Sequence, residues 1–128
     1  MPMQVTSQVL FDGLKSAMMQ FTGVNDGTGG ETLEAKVIPA DLAYAPASVK
    51  PLVITYEVSG GLLRMIWDAD DPVGFLDLAG AGIIDYTRIG GMKNGGGPTA
   101  TGNILFTTVG FDSGSSYAVT MDMRKKYP

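Results

Sequence analysis

The sequence predicts an all-β fold, an antiparallel β-sandwich or jelly-roll-like barrel with long Gly-rich loops. Three observations predict it. Apolar residues recur with a period of two, the signature of half-buried strands. Short turn signals separate the apolar runs. Glycine supplies 18 of the 128 residues, about twice its usual share.

The elements follow in chain order. Val5, Val9 and Phe11 share one face of a first strand, and Ala17, Met19 and Phe21 share one face of a second. Asp12-Gly13 between them predicts a two-residue hairpin turn, in which both positions need positive φ. Residues 23–30 form an irregular stretch. Residues 40–47, bounded by Pro39 and Pro46, support a single helical turn. Residues 52–58 are rich in Val, Ile, Thr and Tyr, as strands prefer. In residues 62–68, Leu63, Met65 and Trp67 alternate with Arg64 and Asp68, while Leu62 and Ile66 make the second face mixed. Gly60-Gly61 between these runs reads as a second hairpin turn. Residues 90–102 are a second irregular stretch centred on Gly95-Gly96-Gly97-Pro98. Residues 103–109 form another strand, and residues 110–115 read as a longer hairpin loop. Tyr117, Val119, Met121 and Met123 then alternate with Ala118, Thr120, Asp122 and Arg124, the clearest strand of the chain. Trp67, Phe75 and Phe106 are candidate core residues, and the eight Met residues suit core filling and contact surface.

Length and composition bound the function. One β-domain is expected over residues 1–128, large enough to hold a core without staples. The chain has no Cys, which excludes disulfides, thiolate zinc sites and Cys nucleophiles. It has no His, the commonest general base and metal ligand. A formal charge of -4 and a pI near 4.5 argue against a nucleic-acid partner. The longest charge-light stretch, residues 94–111, is too rich in Gly and Thr to span a bilayer, so no membrane partner is expected. Asp12 and Lys15 interrupt any secretory apolar region, so a chain kept in the cytoplasm, or built into something assembled there, is expected.

Four motifs invite chemistry. Asp68, Asp70 and Asp71 make the densest acidic cluster, a weak hard-cation candidate set against an ordinary solvated turn. Residues 90–97 carry Lys93 among glycines but lack the order and the following helix of a phosphate loop. Gly80-Ala81-Gly82 is a fragment of a dinucleotide fingerprint without its helix. Arg124-Lys125-Lys126 is the one basic run, either a docking contact or a solvated end that keeps an edge strand from pairing. With no positioned base or nucleophile, neither enzymatic activity nor a cofactor is expected.

Several ordered pieces carry a resemblance. They are residues 9–13, residues 20–24 with Asp26-Gly27 and residues 30–32, residues 66–69, Asp85-Tyr86 with Gly90-Gly91, residues 101–108 and residues 123–126. In that order they resemble a family of small structural proteins of tailed-phage virions. The resemblance implies a capsid decoration or cement protein that stabilises the head shell, on the capsid surface after assembly in the host cytoplasm. The implied partners are the major capsid protein and further copies of the chain, as a homotrimer. A tail-tube, neck or fibre-associated virion protein is the second expectation, and a host- or glycan-binding β-module the third. Residues 1–8 and 90–98 are the segments expected to reach a neighbour. The candidate contact residues are Met3, Val5, Met92, Lys93, Arg124, Lys125 and Lys126.

Overall fold

The computed structural model describes residues 3–25 and 31–127, without the side chains of Met3 and Gln4. Seven strands form one antiparallel sheet that curls into a half-barrel. They are β1 (Met3–Asp12), β2 (Ser16–Asn25), β3 (Glu34–Val37), β4 (Ser48–Trp67), β5 (Val73–Asp85), β6 (Ile104–Val109) and β7 (Ser116–Lys126). The sheet runs β1-β2-β7-β4-β6-β3, and β5 covers the other edge of β4. The all-β antiparallel expectation therefore holds. Three short 3-10 turns are the only helical elements among the described residues, and no helix there is long and apolar enough to cross a membrane.

The 20-residue strand β4 organises the sheet. Its first half pairs with β7, from Ser48↔Lys126 to Ser59↔Ser116. Its second half pairs with β6, from Leu62↔Val109 to Trp67↔Ile104. Strands β6 and β7 thus lie end to end along one edge of β4. Residues 110–115 are an excursion between them, and the expected hairpin at that loop does not form. Gly60-Gly61 is likewise no hairpin turn but a bend inside β4. The true reversal after β4 is at residues 68–72, and β5 returns along both halves of β4. Residues 59–62 of β4 oppose only Ala79 of β5, so the bend is a large bulge.

The bend has a steric cause. Gly60 has φ +89°, and a Cβ there would lie 2.3 Å from Ser115 Oγ. A Cβ on Gly61 would lie 2.6 Å from Val109 O. Only glycine lets the returning chain approach this closely. The bend turns the two ends of the sheet toward one another. Phe21 of β2 then meets Phe106 of β6 edge to face at 5.2 Å, and Phe106 meets Tyr117 at 5.9 Å. Ala17, Met19, Phe21, Tyr117, Val119, Met121 and Met123 line the core side, as their alternation predicts. Leu63, Met65 and Trp67 are buried beside them, and Phe75 stacks on Trp67 at 4.2 Å. Each such fully buried large side chain contributes about 1.5–3 kcal/mol.

Three further expectations are corrected. The first hairpin forms where expected, but residues 13–15 separate its strands and Gly13 does not take a positive φ. Val5, Val9 and Phe11 do not share a face, because a bulge at Leu10 shifts Phe11 to the other side of β1. The helical turn is a 3-10 turn at Pro39–Asp41, one residue earlier than the segment expected.

Candidate functional site

The period of two along β7 runs one step beyond its apolar series. Tyr117, Val119, Met121 and Met123 are buried on the core side, and Lys125 takes the next inward position, opposite Val49 of β4. Its side chain is fully covered. The ammonium emerges at the end of the core, where the β1–β2 turn and the loop after Pro39–Asp41 converge. It donates to Asp12 Oδ1 at 2.5 Å, to Gly13 O at 2.5 Å and to Ala43 O at 2.8 Å. Three donors thus meet three acceptors, the full capacity of an ammonium. Asp12 Oδ2 accepts the Ala43 N–H at 2.9 Å, and the Tyr44 ring lies 5.8 Å from the ammonium nitrogen. Tyr127 Oη donates to Leu14 O at 2.6 Å, and the Lys125 N–H donates to Lys15 O at 2.8 Å.

Desolvation alone pushes the Asp12 carboxyl up. The Lys125 hydrogen bond, the Ala43 N–H and the ammonium charge together outweigh it and hold the carboxyl below its ordinary value. The two charges therefore neutralise one another inside the turn. The segments that hold the pair carry a rim of exposed apolar side chains, with Phe11 on the face of β1 away from the core. Leu10, Phe11, Leu14 and Tyr44 are 45%, 58%, 55% and 68% exposed, and Tyr127 joins them at its edge. Burying exposed apolar and aromatic side chains of this kind in a partner would release water, which is the chemistry such a surface can offer.

A second buried cluster ties down the other end. Glu31 accepts Tyr117 Oη–H at 2.5 Å on one carboxylate oxygen and pairs with the Lys36 ammonium through the other. Its backbone is bonded to Thr108, N–H to Oγ1 at 2.9 Å and carbonyl from the Thr108 N–H at 3.0 Å. Burial first, and the neighbouring Glu31 carboxylate second, push the Tyr117 phenol far up. This cluster holds the segment before β3 against β6 and β7.

The residues singled out from sequence are dispersed. Asp68 accepts Thr101 Oγ1–H at 2.8 Å, while Asp70 and Asp71 are exposed on the turn into β5. Among the described residues no three acidic side chains gather as a metal site. Gly80-Ala81-Gly82 lies inside β5, away from any helix. Met92 is half-buried against the core, with its N–H bonded to Pro51 O at 2.9 Å, and Lys93 is exposed. Arg124 and Lys126 point outward from β7. Strand β7 lies between β2 and β4, so the basic run guards no sheet edge. Lys125 is corrected from contact residue to internal anchor, because its ammonium is buried and fully bonded. Val5 is exposed on β1, while the Met3 side chain and residues 1–2 and 26–30 lie outside the described residues.

The rim residues are not legible as a group, because Leu10 and Leu14, Tyr44, and Tyr127 come from three separate stretches of chain. The Lys125 anchor did leave a signal, since it shares the parity of Tyr117, Val119, Met121 and Met123. One groove of about 540 Å³ crosses β4 and β5, and its charged groups, Arg64 and Asp77, pair with each other at 2.9 Å. No protein-family model, curated protein or solved structure matches the chain.

Proposed function

We propose that this chain is a structural protein of a tailed-phage virion, a decoration protein that docks on the outer face of the head shell. The observation that carries the reading is the set of exposed apolar side chains, Leu10, Phe11, Leu14 and Tyr44, on the segments that the Asp12–Lys125 pair ties together. Burying such a rim contributes about 25 cal/mol per Å² of apolar area at each contact. A shell multiplies that gain over many copies. The partner is then the major capsid protein, and the work is adhesion, with no substrate turned over. The ordered sequence resemblance supports the same class of protein. The net charge of -4 suits a position outside the shell, away from packaged nucleic acid.

The test mixes the purified chain with capsids that lack it and images the particles by cryo-electron microscopy. Ordered density on the outer shell, with the β1–β2 turn at the contact, is the expected result. Bare shells, with density at the tail or neck of intact virions, would move the chain to that part of the particle. Bare particles throughout would remove the virion reading.

A further inference from the structure

Three strand edges lack a partner among the described residues: those of β1, β3 and β5. Two of them carry features that discourage pairing. Strand β3 has only four residues, with Glu34 and Lys36 among them. Strand β5 carries Asp77 and Asp85 and a left-handed Gly80 beside the β4 bulge. Strand β1 has neither safeguard over most of its length. Its ten residues hold one charge, Asp12, which lies at the turn and is bound by Lys125. Its bulge falls at Leu10, so residues 3–9 keep a regular one-to-one register with β2.

Among the described residues the core side of the sheet is also only partly covered at this edge. Val5 and Val9 lie opposite Gly23 and Met19 of β2 and so share their face, yet they are 37% and 50% exposed. We infer that a second copy of the chain covers them, β1 against β1, antiparallel about a twofold axis through Ser7. The sequence of the strand is self-complementary in that register. Val5 meets Val9 of the other copy, Thr6 meets Gln8, and Ser7 meets Ser7. No like charges face each other. A slip of one residue would turn one copy's core face outward, and a slip of two would set Val5 or Val9 against Ser7. Ridding the edge of its unpaired amides and covering both valines are achieved together only in the centred register. The resemblance implies a trimer and this edge a dimer, and the inference rests on this edge alone, independent of the virion reading.

Sedimentation of the full chain over a wide concentration range reads the state directly. The expected species has twice the 13.4 kDa chain mass. Ser7→Lys and Ser7→Asp each place like charges opposite one another and are expected to weaken the dimer about tenfold or more. An equimolar mixture of the two is expected to dimerise again, because opposite charges then meet, which a folding defect would not allow. The chain has no native Cys, so Ser7→Cys is expected to give a disulfide-linked dimer on mild oxidation, while Ser113→Cys in the 110–115 loop stays uncrosslinked. A wild-type chain that sediments at single mass throughout, a trimer, or a dimer indifferent to both charges at Ser7 would overturn the inference.

Discussion

Lys125 Nζ lies 2.5 Å from the Asp12 carboxylate across 113 positions of sequence, and this contact fastens the β1–β2 turn to the C-terminal strand. The two partners are unequally buried: the Lys125 side chain is fully covered, and that of Asp12 is 24% exposed. Removing one partner therefore differs from removing the other. Asp12→Asn keeps one acceptor oxygen but removes the charge that compensates a covered ammonium, and it sets an NH2 against either that ammonium or the Ala43 N–H, so a cost of about 3 kcal/mol is expected. Lys125→Met keeps the apolar stem and leaves a carboxylate that water can reach, so a smaller loss of about 1–2 kcal/mol is expected. Urea denaturation of the two variants measures the order. Equal losses would mean that the carboxylate is as poorly hydrated as the ammonium.

The same pair sets an acid limit. The Asp12 carboxyl is held below its ordinary value in the folded chain, so the unfolded chain takes up its proton first as pH falls. Its contribution is present in full above the unfolded value of about 3.9 and is lost as pH drops through the lower folded value. Thermal melts across that window are expected to show a shallower fall for Asp12→Asn than for the wild-type chain.

Tyr117 sets an alkaline limit of opposite sign. Burial and the Glu31 carboxylate raise its phenol far above the ordinary range, so the unfolded chain loses this proton first. Stability is expected to fall as pH rises beyond about 10, and the slope is expected to shrink in Tyr117→Phe. That variant also leaves the buried Glu31 carboxylate without its phenol donor, at a cost of about 1–3 kcal/mol near neutral pH. Denaturation series at neutral and alkaline pH separate the two effects.

The parts of this fold that alternate strictly were readable from sequence. Met19 and Phe21 on β2, and Tyr117 to Met123 on β7, face the core because a period of two leaves no other arrangement. Where the sheet bends, local rules misled. Gly60-Gly61 has the composition of a hairpin turn, but its glycines serve the close approach of Ser115 and Val109. Strand β5 was invisible because Leu78 is its one buried side chain, and its Gly and Ala residues carry no alternation. The charge of Lys125 suggests the surface, whereas its place in the β7 series marks it as inward. The rim on the segments it ties together depends on which distant loops meet, a property of topology that local pattern does not encode.

Gly60 and Gly80 distinguish steric from conformational demand. Both have positive φ, +89° and +72°, but a Cβ on Gly60 would strike Ser115 whereas one on Gly80 meets nothing within 4 Å. Gly80→Ala is expected to cost about 1 kcal/mol, for the left-handed backbone alone. Gly60→Ala is expected to cost about 2–4 kcal/mol, since Ser115 must also move and break its bond to Gly60 O. Comparable losses in chemical denaturation would show that Ser115 can yield freely.

Phe11 and Leu14 test whether the rim serves binding or merely completes the fold. Both side chains are more than half exposed, at 58% and 55%, so the folded chain gains little from them. The double variant Phe11→Ser with Leu14→Ser is expected to keep its stability within about 0.5 kcal/mol. Its self-association through β1 is also expected to persist, because the Ser7 register does not involve either residue. Occupancy on capsids, in contrast, is expected to drop sharply. Quantifying bound copies per shell beside a melting curve checks both arms at once. A variant that melts early would place the rim inside the fold. A variant that melts normally and still fills the shell would transfer the capsid contact to another face of the sheet, with the exposed Ile83 and Ile89 around β5 as the next residues to replace.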